Sequence, residues 1–284
     1  MAEPFVSAFD RARTVRVGPV EAHVGQAGDP AGPDAVFLHG NPDSHDLWSE
    51  TVRRLPRLHC HAPDLPGFGK STAPRDFDCS LTNLARFVAG LLDGLGLDRV
   101  HLVVHDVGGI YGLAFAAQHP ERLRSLTIFN TSFFPDFTWH TIGKLWRTPV
   151  IGELIMLAAP RWFFVRGLTS DSPAMPVAYA NHAFDVFDRW STKRMVLRWY
   201  RYMTFSKRLP GWDTKLLEAT RDIPKQVIWG MKDSYVPAAT ADRFEAPVHR
   251  LDAHGHWAMI EAPDDSAAWI DALVTRADAA AITG

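Results

Sequence analysis

Asp106 stands in the run Val103-Val104-His105-Asp106-Val107-Gly108-Gly109, between a β-branched apolar segment and a stretch with helical patterning. A tight strand-to-helix turn holds one side chain in a strained, exposed position, and small residues just after it let the helix pack closely. Such an elbow usually presents a serine hydroxyl; here the slot carries a carboxylate. An aspartate that merely caps the following helix is the competing reading. Two later segments weigh against it. An apolar run at 226–229 leads into Gly230-Met231-Lys232-Asp233, and another at 248–251 leads into His254-Gly255-His256-Trp257. Nucleophile, acid and base then follow one another along the chain, with His256 as base and Asp233 as its orienting partner. His254 is the rival histidine; His256 is preferred because it follows Gly255 and precedes the apolar turn at 257–260.

A carboxylate nucleophile restricts the chemistry. Attack on an ordinary ester would give an anhydride, an uphill intermediate, so esterase and protease activities are disfavoured. Attack on a saturated carbon gives a stable ester, provided the departing group is a halide or a strained epoxide oxygen. A further segment, Val36-Phe37-Leu38-His39-Gly40-Asn41-Pro42, ends a strand where a turn can lend backbone N–H groups to a developing oxyanion.

Two other patterns are set aside. Gly67-Phe68-Gly69-Lys70-Ser71 resembles a phosphate loop, but the required first glycine falls on Asp64. His59-Cys60-His61 resembles a metal site, yet alternate strand residues face opposite ways, so Cys60 cannot join both histidines. Neither a metal nor a cofactor is expected.

The elements that must position these residues read as α/β. Of the 284 residues, 46% are hydrophobic and 22% charged, enough for a large core without metal or disulfide staples. A net charge of −2 gives no electrostatic footprint for nucleic acid or an anionic membrane. Cys60 and Cys79 are too few for a disulfide framework and fit a reducing compartment. The first fifteen residues lack the basic and apolar regions of a secretory leader. Lys144, Arg147, Glu153, Arg161 and Arg166 break up the most apolar stretch, so no membrane span is expected and the reading is a cytoplasmic protein. Strands are expected at 15–17, 21–24, 35–38, 59–62, 100–104, 123–129, 226–229 and 248–251, with helices at 81–95, 109–119, 238–244 and 264–280. Residues 133–210 show no strand pattern and are dense in aromatics. They read as an inserted helical cap at 134–209 on a core of 1–133 plus 210–284.

Taken in order, His39-Gly40-Asn41-Pro42, Asp64-Leu65-Pro66-Gly67-Phe68-Gly69-Lys70-Ser71, His105-Asp106, Gly230-Met231-Lys232-Asp233 and Gly255-His256 resemble the α/β-hydrolase superfamily. The likeness is to the branch of haloalkane dehalogenases and epoxide hydrolases, and it spans nearly the whole chain. It implies a mostly parallel sheet flanked by helices with an inserted helical cap. It also implies that Asp106 forms an alkyl-enzyme ester and that His256, held by Asp233, activates the water that resolves it.

The leaving group divides the branch. Dehalogenases hold the halide between two N–H donors, a tryptophan directly after the nucleophile and a second from a cap tryptophan or the asparagine after His-Gly. Asn41 matches the latter, but position 107 is Val107, and a missing donor of this kind costs about 3 kcal/mol. Trp146 and Trp162 are cap tryptophans that could compensate. Epoxide hydrolases use the backbone N–H after the nucleophile, which Val107 supplies, and cap phenols that protonate the ring oxygen. Trp199-Tyr200-Arg201 resembles the segment carrying one such tyrosine. The usual second tyrosine near 150–155 is missing, with Tyr179 and His182 as substitutes. Epoxide hydrolysis therefore ranks first, halide release second, and a catalytically silent small-molecule receptor third. The expected partners are an apolar small molecule and water. The sequence says nothing of oligomeric state.

Overall fold

The computed structural model describes residues 4–283; residues 1–3, where the stretch read for a leader begins, and Gly284 lie outside the described residues. Eight strands form one sheet: β1 (Arg11–Val17), β2 (Val20–Gly28), β3 (Asp34–Leu38), β4 (His59–Pro63), β5 (Val100–His105), β6 (Leu123–Phe129), β7 (Lys225–Gly230) and β8 (Val248–Leu251). Their spatial order is β1-β2-β4-β3-β5-β6-β7-β8. β2 runs antiparallel to both β1 and β4, and every other neighbour pair is parallel. All eight expected strands are present. β1 is longer than expected, because Arg11-Ala12-Arg13-Thr14 reads as a polar loop until β2 pairs with it at the sheet edge.

Parallel neighbours need crossovers, and the helices supply them on both faces. α2 (Leu81–Leu95) starts where Ser80 Oγ accepts the Asn83 N–H at 3.3 Å and stops at Gly96 in the left-handed region, φ 77°. α2 and α3 (Asp106–Gln118) cover one face with Leu38, Leu102 and Val104 of the sheet. α1 (Ser49–Val52) and the C-terminal helix cover the other, against Phe37 and Val103. The period-two alternation within β3 and β5 divides these residues between the faces.

Between β6 and β7 the described residues contain only helices: α4 (Thr141–Arg147), α5 (Ile151–Ala158), α6 (Arg161–Asp171), α7 (Val177–Phe187), α8 (Trp190–Tyr202), α9 (Phe205–Arg208) and α10 (Trp212–Ala219). α11 (Ala258–Glu261) and α12 (Pro263–Thr283) follow β8. Residues 238–244 are a 3₁₀ helix, and α1, α10 and α11 have no counterpart among the expected elements. Among the described residues no helix is long and apolar enough to cross a membrane.

Candidate active site

Asp106 occupies the turn between β5 and α3 with φ 46°, a left-handed conformation that a non-glycine residue adopts rarely. α3 can start there because it approaches β3 closely. A Cβ on Gly108 would lie 2.3 Å from the His39 carbonyl oxygen. The turn is held from below by Thr131, whose Oγ1 donates to the Asp106 carbonyl at 2.7 Å. The Asp106 carboxylate accepts the Asn41 backbone N–H at 2.8 Å and the Val107 backbone N–H. Burial pushes this carboxyl above its ordinary range; the nearby His256 and the two N–H groups oppose that shift.

His256 and Asp233 converge on it from two other loops. His256 Nδ1 lies 2.7 Å from Asp233 Oδ2. The loops cross so tightly that a Cβ on Gly230 would fall 1.9 Å from the Gly255 carbonyl oxygen, while a Cβ on Gly255 would fall 2.1 Å from the Asp171 carbonyl oxygen, so each motif carries glycine for its own close approach. The other oxygen of Asp233 accepts the Tyr235 and Val236 N–H groups at 2.7 and 2.9 Å. His254, the rival histidine, leaves its Nδ1 without a partner among the described residues. Burial opposes a charged His256, but Asp233, by charge and hydrogen bond, and then Asp106 and Asp171 outweigh it and raise the imidazole to about 9. A histidine raised in the folded state adds stability that is complete below its unfolded value near 6.5 and is lost as pH rises through about 9. Stability should therefore fall across that window, and Asp233→Asn should flatten the slope in thermal melts recorded against pH.

Several supports escaped sequence reasoning. Asn130 donates from Nδ2 to Asp233 Oδ2 at 2.8 Å and to the Gly230 carbonyl at 3.2 Å, while its Oδ1 accepts the Gly230 N–H. Asp171, at the end of α6, accepts the His256 N–H at 3.0 Å and the Ser234 N–H at 3.2 Å. His39 bridges Gly40 and Leu65, fixing the turn that carries Asn41. No local motif marks Asn130 or Asp171, since their partners lie far along the chain. Asn130→Ala would leave the Gly230 N–H unpaired in a buried setting, so it should cost about 1–3 kcal/mol, read from the urea midpoint.

Above Asp106 lies a cavity of about 270 Å³. Its apolar walls include Ile142, Trp146, Phe163, Phe164, Leu168 and Phe187 from the helical segment, and its polar groups are Asn41, Asp106, His140, Tyr200, Tyr235 and His256. Asn41 Nδ2 sits 3.5 Å from Tyr200 Oη. Burial keeps the Tyr200 phenol protonated, as does the nearby Asp106. His140 is driven by burial down to about 4 and is neutral at pH 7. Tyr235, two residues past Asp233, is a cavity phenol that the sequence analysis did not single out.

Other expectations need correction. Tyr179 and His182 do not reach the cavity: their side chains bond Asp43 and Asp46 at 2.5 and 2.9 Å, which ties α7 to the loop after Asn41. Trp162 is an exposed surface residue. Val107 contributes its backbone, while its side chain is packed in the core and does not line the cavity. Trp146 does line it, with its Nε1 buried and unpaired among the described residues.

An aspartate on a strained strand-to-helix turn of a mostly parallel eight-stranded sheet, facing an Asp–His pair on two later loops, is the arrangement of an α/β hydrolase. The family model for the alpha/beta hydrolase fold matches residues 36–153. Haloalkane dehalogenase 2 of Mycobacterium tuberculosis is 30% identical over 253 residues, covering 84% of this chain and 87% of that one. A cis-3-alkyl-4-alkyloxetan-2-one decarboxylase of Shewanella oneidensis is 26% identical over 266 residues, covering 87% and 83%. The crystal structure of a haloalkane dehalogenase from Bradyrhizobium elkani superposes with a TM-score of 0.77 at 25% identity, covering 95% of this chain and 98% of that one. The chain belongs to the α/β-hydrolase family, among haloalkane dehalogenase-like hydrolases.

Proposed function

We propose that this hydrolase opens a polarised bond at saturated carbon through a covalent ester on Asp106, and that its best substrates are strained cyclic ethers, epoxides, converted to diols. In this reading residues 134–209 are a cap over a core of 1–133 and 210–284, and the cavity between them takes an apolar molecule. Asp106 attacks one ring carbon, the C–O bond breaks, and the alkoxide takes a proton from a cavity phenol. The protonated His256 returns a proton to that phenolate, and the neutral imidazole then removes a proton from water, which attacks the ester carbonyl. The Asn41 and Val107 N–H groups hold the resulting oxyanion until the acyl C–O bond breaks. The alkyl oxygen leaves with the carboxyl proton as the diol, and Asp106 and His256 return to their charged forms.

The observation that carries this reading is the pairing of Tyr200 Oη with Asn41 Nδ2 in the same cavity as Asp106, with Tyr235 as a second phenol. Both phenols are held protonated by burial, which is the form that can donate to an alkoxide. The oxetan-2-one in the name of the Shewanella relative is also a strained ring with oxygen bound to saturated carbon.

Halide release is the second reading, favoured by the dehalogenase relatives and by the Asn41 amide in the cavity. Its weakness is the second donor. Val107 has no side-chain N–H, and the Trp257 indole is already committed to Asp43 at 2.9 Å. Only Trp146 has an unspent indole N–H among the cavity residues.

Tyr200→Phe separates the two. Epoxide turnover should fall by roughly 10²–10⁴-fold on loss of a proton donor, with bromoalkane turnover nearly unchanged. A small panel of terminal epoxides and bromoalkanes, assayed for diol and for free halide, reads both. Efficient chloroalkane hydrolysis that Tyr200→Phe leaves untouched would make halide release the correct reading.

A further inference from the structure

The two histidines set aside in the sequence, His59 and His61, share one face of β4, with Cys60 buried on the other, as alternation requires. The third partner comes from β3. Asp34 is in register with His59, and its Oδ1 lies 2.9 Å from His59 Nδ1 and 3.0 Å from His61 Nε2. The ring nitrogens themselves lie 3.1 Å apart. One carboxylate oxygen can accept from both rings, but then two N–H groups crowd each other along the third side of the triangle. A single cation placed over the three lone pairs satisfies all of them.

From this triangle we infer that Asp34, His59 and His61 form a binding site for a first-row divalent metal ion. The spacing also states the geometry. With metal–ligand bonds of ~2.1 Å, atoms about 3.0 Å apart subtend angles of about 90° at the metal, whereas a tetrahedral ion needs them about 3.4 Å apart. Three ligands at right angles form one face of an octahedron, the two-histidine, one-carboxylate arrangement, and solvent completes the other face. Two imidazoles select ions such as Ni²⁺, Co²⁺ or Zn²⁺ over Mg²⁺ or Ca²⁺. The side chain of His61 is 2% exposed and that of Asp34 34%, so an ion enters past the carboxylate onto a rigid base.

Gln26, opposite His61 in β2, supports the site from behind: its amide lies 3.0 Å from His61 Nδ1. With a metal on Nε2, the Nδ1 proton is donated to the amide oxygen after the amide rotates by half a turn. The other His–His–Asp cluster, His23, His45 and Asp64, is already spent, since Asp64 accepts the His45 and Lys70 N–H groups at 2.8 and 2.7 Å. Asp34 and His59 begin their strands, whereas Asp106 follows the end of parallel β5, so the site lies at the opposite end of the sheet from the cavity.

The test is calorimetric titration of untagged, chelator-stripped protein with Ni²⁺ and Zn²⁺, together with the Co²⁺ absorption spectrum. One ion per chain and the weak d–d bands of six-coordinate Co²⁺ are expected. Asp34→Asn and His59→Gln should each lower affinity by more than the 10–100-fold typical of losing an outer-shell partner, with turnover unchanged. The half-buried His59 can be replaced without opening the core, and circular dichroism checks both variants. Absence of stoichiometric binding, or binding that survives in the double variant, would overturn the site. Intense tetrahedral Co²⁺ bands would overturn its octahedral geometry.

Discussion

Asp106→Ala should abolish turnover, by on the order of 10⁴–10⁶-fold, while the protein stays folded and melts at an equal or higher temperature. Both halves follow from the same geometry. The carboxylate stands on a left-handed turn and accepts two backbone N–H groups, in the environment proposed here for a nucleophile. Burial pushes its pKa upward, so holding it charged there costs stability; its removal relieves that cost even as function is lost. The counterweight is His256, which loses one of the negative charges that raise it, so the melting gain should be largest above pH 7. Residual activity within about tenfold of the parent, on a substrate that the parent turns over, would mean that water attacks without a covalent intermediate.

Much of the site could be read in the sequence because its chemistry rides on short motifs at strand ends. Asp106 and Asp233 each sit on a turn whose glycines are demanded by backbone approach, and such demands are local enough to be seen. The flanking residues favour His256 over His254, and the hydrogen bond to Asp233 is what separates them in the fold. What escaped is what depends on distant pairing. Asn130 contacts Asp233 across the sheet, and Asp171 reaches His256 from the end of a helix in the inserted segment. Asp34 meets His59 and His61 only because β3 and β4 pair in that register. The aromatic residues were legible as a class but not individually: Trp162 is exposed, Tyr179 anchors α7, and Tyr235 faces the cavity from outside the helical segment. Side-chain direction is fixed there by tertiary packing, which no periodicity encodes.

His256→Gln should stop the reaction halfway and leave an alkylated Asp106, and the mass of the adduct identifies the leaving group. In the resting site His256 is raised to about 9 by Asp233, Asp106 and Asp171 against the opposing effect of burial, so it is protonated at pH 7 and is no base. Ester formation changes that. In the proposed mechanism Asp106 becomes neutral and one source of the rise disappears. The imidazolium gives its proton to the phenolate left by ring opening, or to solvent where a halide departs, leaving the neutral form that can take a proton from water. The first step thus prepares the base for the second. Glutamine keeps a hydrogen-bonding side chain in the space but cannot accept that proton, so the ester accumulates. An epoxide opened by Asp106 adds its whole mass, because the ring oxygen stays on the alkyl group and gains a proton. A haloalkane adds its mass less one hydrogen halide, because the halide departs. Intact-protein mass spectrometry after incubation, followed by peptide mapping to the segment containing Asp106, reads both the attachment and its composition. Turnover of a good substrate by the parent, with no adduct on His256→Gln at any time, would remove the covalent mechanism.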